Sequence, residues 1–195
     1  QTNRTTLRAN LKAAENSLKA ADAALKELGS SDEDTLQKEL DAAEAQQAAA
    51  QAAYNAAAAD APKRLEEKDD AGWKELQQRE AKKQAEIAEL EKQLADDPNN
   101  AELQAKLNTA QAALAAIETE KTAYINRNDP ETVKANEALT AAQNSVTRAE
   151  GRLETYRQST AAKAEAEKTI AEGTKALDEN TAAIKKILGE ENGKK

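Results

Sequence analysis

Apolar side chains in this sequence recur at steps of four and three for most of its length. Leu7, Leu11, Ala14, Leu18, Ala21, Leu25 and Leu28 keep that rhythm without a slip. A mean spacing of 3.5 residues turns one narrow stripe of a helix toward a neighbour at every turn, which is the seam of a coiled coil. The rhythm returns in four further segments. The expected fold is therefore all-α: an elongated antiparallel coiled-coil helical bundle with one long C-terminal helix.

Composition fits thin seams rather than a thick core. Of 195 residues 46 are Ala, and Phe, Met and Cys are absent, so burial has to come from many shallow contacts between closely approaching helices. Ala is also the best helix former. Charged residues make up 33% of the chain, with 28 Lys plus Arg against 36 Asp plus Glu and a formal net charge of -8. No basic run stands clear of neighbouring acids, which argues against nucleic acid or an anionic membrane surface as partner. No apolar run approaches the length of a membrane span. A chain that opens on Gln1 is expected to be a processed or excised segment.

With no Cys there is no disulfide, zinc-thiolate site or thiol chemistry, and with no His there is no side chain that titrates near neutrality unaided. Cysteine-free helical chains suit export, so a secreted or bacterial cell-surface location is expected, with the cytoplasm as the alternative.

Along the chain, a first helix is expected over Thr5 to Leu28, closed by Gly29. Ser30 with Glu33 has the form of a capping box, helped by Asp32 and Asp34, and so short a turn predicts antiparallel neighbours. Next come Leu36, Leu40, Ala43, Gln47, Ala50, Tyr54 and Ala57. The helix weakens at Asp60-Ala61-Pro62, where Pro62 either opens a new turn or kinks the axis. Lys63 to Asp70 is almost wholly charged and Ala71-Gly72 interrupts it, so residues 31–95 read as one kinked helix or as two. Trp73, Leu76, Glu80, Lys83, Ile87, Leu90 and Leu94 resume the seam. Pro98, in Asp96-Asp97-Pro98-Asn99-Asn100, is expected early in the next helix behind an acidic cap.

The fourth seam is Leu103, Leu107, Ala110, Leu114, Ile117, Lys121 and Tyr124, and Asp129 is the expected cap of the last helix. Beyond it Leu139, Ala142, Val146, Ala149, Leu153, Tyr156, Thr160, Lys163, Glu167, Ile170, Thr174, Leu177, Thr181, Ile184 and Leu188 share one phase. One continuous helix from Pro130 to Leu188 is expected, on the order of 90 Å long. Its weak points are the polar seam from Thr160 to Glu167 and the glycines at 151 and 173. Residues 1–188 read as a single elongated domain and 189–195 as a frayed polar tail.

No catalytic constellation assembles. The carboxylates read as a solvated face, the six glycines are isolated, and no metal, cofactor or nucleophile is expected. Trp73 is the one candidate partner contact. It is the only Trp, it follows Gly72, and it sits after a charged break that could form an exposed tip. Its phase with Leu76 supports a plain seam position instead. Tyr54, Tyr124 and Tyr156 are in phase and read as core with the hydroxyl at the edge.

Long Ala-rich helices with small acidic turns, at Leu28-Gly29-Ser30-Ser31-Asp32-Glu33-Asp34 and Leu94-Ala95-Asp96-Asp97-Pro98-Asn99-Asn100, resemble the coiled-coil region of bacterial type III secretion translocators. The receptor-binding hairpins of colicins look similar too, including a Trp shortly after the hairpin break, as at Gly72-Trp73. Translocators also carry hydrophobic membrane segments, which residues 1–195 lack, so the resemblance implies a soluble piece. It implies a non-enzymatic, virulence-associated interaction module: a rigid rod presenting a tip or face to a protein partner, such as a receptor or a component of the secretion apparatus. The alternative is an intracellular structural or assembly spacer whose seam is completed by homo-oligomerisation.

Overall fold

Good helix formers on a heptad seam give helices wherever no turn signal intervenes. The computed structural model describes residues 2–29 and 31–192, with no strand among them. Its helices are α1 (Thr2–Glu27), α2 (Glu33–Glu67), α3 (Ala71–Asp96), α4 (Ala101–Asn128) and α5 (Pro130–Asn192). The fold is an all-α bundle with a long C-terminal helix. No helix among the described residues is long and apolar enough to cross a membrane. Every seam residue expected in the first four helices is buried or half-buried.

Several local expectations need correction. Ser30 lies outside the described residues, and the cap of α2 is Asp32, whose Oδ1 accepts from the Thr35 N–H at 2.8 Å. Gly29 supplies the left-handed residue, with φ +77. α2 runs through Pro62 to Glu67, so the break falls at Lys68-Asp69-Asp70 and residues 31–95 hold two helices. Ala71 and Gly72 do not interrupt a helix; they open α3, capped by Asp70. Pro98 lies in the turn, and the cap of α4 is Asn100, which accepts from the N–H groups of Glu102 and Leu103 at 3.1 Å each. The glycines at 151 and 173 leave α5 unbroken. It continues past Leu188 to Asn192, while the rest of the expected tail lies outside the described residues.

The helices group into two compact units. The first comprises Gln1–Ala43 and Ser145–Lys195. Its pairings overturn the antiparallel reading of the α1–α2 turn. Lys163 pairs with Asp22 at 2.8 Å, Arg157 with Glu33 at 2.7 Å, and Arg152 with Glu39. As α5 descends, its partners ascend from α1 into α2. Both therefore run the same way, end to end along α5, and the short connection is a jog. Loop length alone suggested a hairpin, but an unbroken α5 alongside offers α1 and α2 a common partner.

That jog also moves the α5 seam. Ser159 and Ala166 are buried where Thr160 and Glu167 were expected, and Thr160, Glu167 and Thr174 are exposed. α5 exchanges α2 for α1 between Arg157 and Lys163, and a new partner with its own axis selects a new stripe. The shift keeps the Glu167 carboxylate in water. Gly173 then receives Leu11, whose Cδ2 would stand 2.9 Å from a Cβ built there. Ile184, Ile187 and Leu188 are exposed, although two of them keep the expected phase.

The second unit, Glu44–Asn144, holds the rest. α3 and α4 form an antiparallel hairpin, with Lys121 on Glu80 and Arg79 on Glu120 at 2.6 Å each. Leu90, Leu107 and Ala110 pack its far half. At its near end Ala61 and Leu65 of α2 meet Trp73, Leu76 and Ile125.

Candidate functional site

Trp73, the candidate partner contact, lies in the seam and is 2% exposed. Its position follows from the α2–α3 corner. Asp69 takes a left-handed conformation at φ +58, and Asp70 then caps α3. The Asp70 Oδ1 accepts both the Trp73 N–H at 2.9 Å and the Tyr124 hydroxyl at 2.6 Å, tying the start of α3 to α4. These two bonds, the phenol first, hold the Asp70 carboxyl below its ordinary pKa, and the same contact raises that of Tyr124. Gly72 permits the approach, since a Cβ there would stand 2.7 Å from Tyr124 Cζ.

The indole packs on Tyr124 with ring centroids 6.4 Å apart, and the Lys121 ammonium sits 5.0 Å from the ring centre. Its Nε1–H is buried and meets no acceptor. An unpaired buried donor costs about 1–3 kcal/mol.

Beside it stands a cluster that heptad reading does not reveal. Asp129 is fully buried and takes a two-pronged bond from Arg64, with Nε on Oδ1 at 3.0 Å and Nη2 on Oδ2 at 2.6 Å. Oδ2 also accepts the Thr132 N–H at 3.0 Å and hydroxyl at 2.7 Å, so Asp129 is the cap of α5 as expected. Arg64 reaches back to the Ala57 carbonyl at 2.7 Å and out to Glu131 at 3.2 Å. The Arg64 guanidinium holds the Asp129 carboxyl far below the usual carboxylate range, against a burial effect that raises it, and Asp129 in turn raises Arg64. Nearby, the Tyr54 hydroxyl donates to Asn126 Oδ1 at 2.9 Å.

This chemistry is consumed internally. The Asp129 oxygens are bonded by Arg64 and Thr132, and the phenols of Tyr54 and Tyr124 bond to amide and carboxyl oxygens. Among the described residues no group of three or more Asp or Glu could hold a metal ion. A groove of about 470 Å³ between α1 and α5 is lined by Ala13, Ala14, Ala162 and Ala166 together with Asn10 and Glu165. The sequence carried one signal of the cluster, the cap at Asp129. Nothing in the charged run from Lys63 to Asp70 singles out Arg64 as its partner across 65 residues. Comparison with protein-family models, with curated proteins and with solved structures finds no match.

Proposed function

We propose that this chain is a non-enzymatic helical interaction module of an exported bacterial protein, presenting a tip or face to a protein partner on a host or bacterial surface. The supporting observation is where its polar and aromatic side chains go. Trp73, Tyr54, Tyr124, Arg64 and Asp129 all hold helices to one another, leaving the outer faces as the means of recognition. The exported bacterial setting rests on the resemblance of the Ala-rich helices and acidic turns to translocator and colicin coiled coils.

The test is binding of fluorescently labelled chain to cultured epithelial cells and to bacterial cells. Saturable binding, competed by unlabelled chain and abolished by trypsin treatment of the cells, supports the reading. Uptake that is linear in concentration and indifferent to trypsin counts against it. Ile184, Ile187 and Leu188, exposed at 44%, 58% and 53%, favour a second reading as an assembly spacer whose seam another chain completes. In that case the melting temperature rises with protein concentration.

A further inference from the structure

We propose that the α4–α5 junction is a two-state bend, held closed by the Arg64–Asp129 pair, that can straighten into one continuous helix. A single residue separates the helices. Asp129, at φ -92 and ψ 109, is extended, while its own N–H still bonds to Ile125 O at 3.0 Å and its carbonyl accepts from Val133 at 2.9 Å. Returning its ψ to the helical range would let the Glu131 and Thr132 N–H groups rejoin the ladder through the carbonyls of Arg127 and Asn128. Pro130 would leave the Asn126 carbonyl without its donor and set its ring against it, the cost of any proline inside a helix.

Proline does not by itself enforce the break, because α2 passes through Pro62 without ending. Besides the packing of Ile125 on Ala61 and Leu65, the bent form holds a buried carboxylate that a straight one would lack. Asp129 takes the Thr132 N–H onto its own side chain and delivers both oxygens to Arg64, which is anchored in α2 through the Ala57 carbonyl. Parting a buried ion pair is costly because one charge is left without the other, so the bend that keeps Arg64 on Asp129 is favoured over one that separates them. Arg64 is thus a positioning residue for the junction. Straightening would draw Ile125 off Ala61 and Leu65 and open the cluster that hides Trp73.

The cysteine-free chain allows a direct test, with spin labels at Gln111→Cys on α4 and Thr140→Cys on α5. A continuous helix separates these positions by roughly 44 Å at 1.5 Å per residue, and any bend brings them closer. The otherwise unaltered chain should give one shorter distance, and Pro130→Ala alone should leave it unchanged. Arg64→Met with Asp129→Asn, which keeps an N-cap residue, should add a population near the longer distance, and adding Pro130→Ala should enlarge it. Three results overturn the proposal: the triple variant keeps the parent distance, Pro130→Ala alone straightens the junction, or the Arg64/Asp129 variant loses helical ellipticity instead of changing distance.

Discussion

Replacing Trp73 by Phe should be nearly silent, although Trp73 is among the most deeply buried large side chains in the protein. Trp73→Ala removes a 2% exposed indole from contact with Ala61, Leu65, Leu76, Ile125 and Tyr124, a truncation that costs about 3–5 kcal/mol. Phe restores most of that surface, leaving a deficit of one to two methylene equivalents, about 1–2 kcal/mol. It also removes the indole N–H, which has no acceptor, and so recovers about 1–3 kcal/mol of uncompensated desolvation. The terms nearly cancel, and Trp73→Phe should lie within about 1 kcal/mol of the parent. Urea unfolding followed by far-UV ellipticity separates the variants provided the m-value is unchanged. A Phe variant as unstable as the Ala variant would mean instead that the indole N–H makes a bond worth keeping.

Arg64→Ala should destabilise by about 3–5 kcal/mol at neutral pH, since it leaves a fully buried carboxylate without its cation. The deficit should shrink in acid. The folded-state pKa of Asp129 is depressed, so its contribution is present above an unfolded value of about 3.9 and is lost as pH falls toward the folded value. Parallel denaturation of parent and variant on both sides of that pH checks the sign. Gly72→Ala should destabilise by about 1–3 kcal/mol through its clash with Tyr124, whereas Gly151→Ala, with nothing within 4 Å of the added Cβ, should stabilise by about 0.5–1 kcal/mol. Thermal melts of the two alanine variants should move in opposite directions. Leu36→Ala should cost about 2–5 kcal/mol at a position 1% exposed, while Arg79→Ala, at an ion pair roughly half exposed, should leave the urea midpoint close to the parent's.

Helix positions and seams were largely legible because they depend on local periodicity. Leu7 to Leu28 or Trp73 to Leu94 face inward whatever partner they meet, so the stripe can be read without knowing the neighbour. Direction and partner are not local. The α1–α2 jog looks like a hairpin turn until α5 is placed beside it, and the seam moves to Ser159 and Ala166 where α5 changes partner. Glu167 and Thr174 fitted the numerical period but not the partner. The Arg64–Asp129 pair was half legible, because capping is a relation between neighbours in sequence, whereas the arginine arrives from another helix. Trp73 could be placed on a seam but not at a depth.

If recognition falls to the outer faces, as proposed above, the chain closes its own seams. Sedimentation equilibrium with thermal melts over a hundredfold dilution series tests it most directly. A single monomer mass and a melting temperature independent of concentration are expected. A mass that grows with concentration, with melting temperature rising alongside it, would instead assign the exposed end of α5 to a seam completed by a second chain.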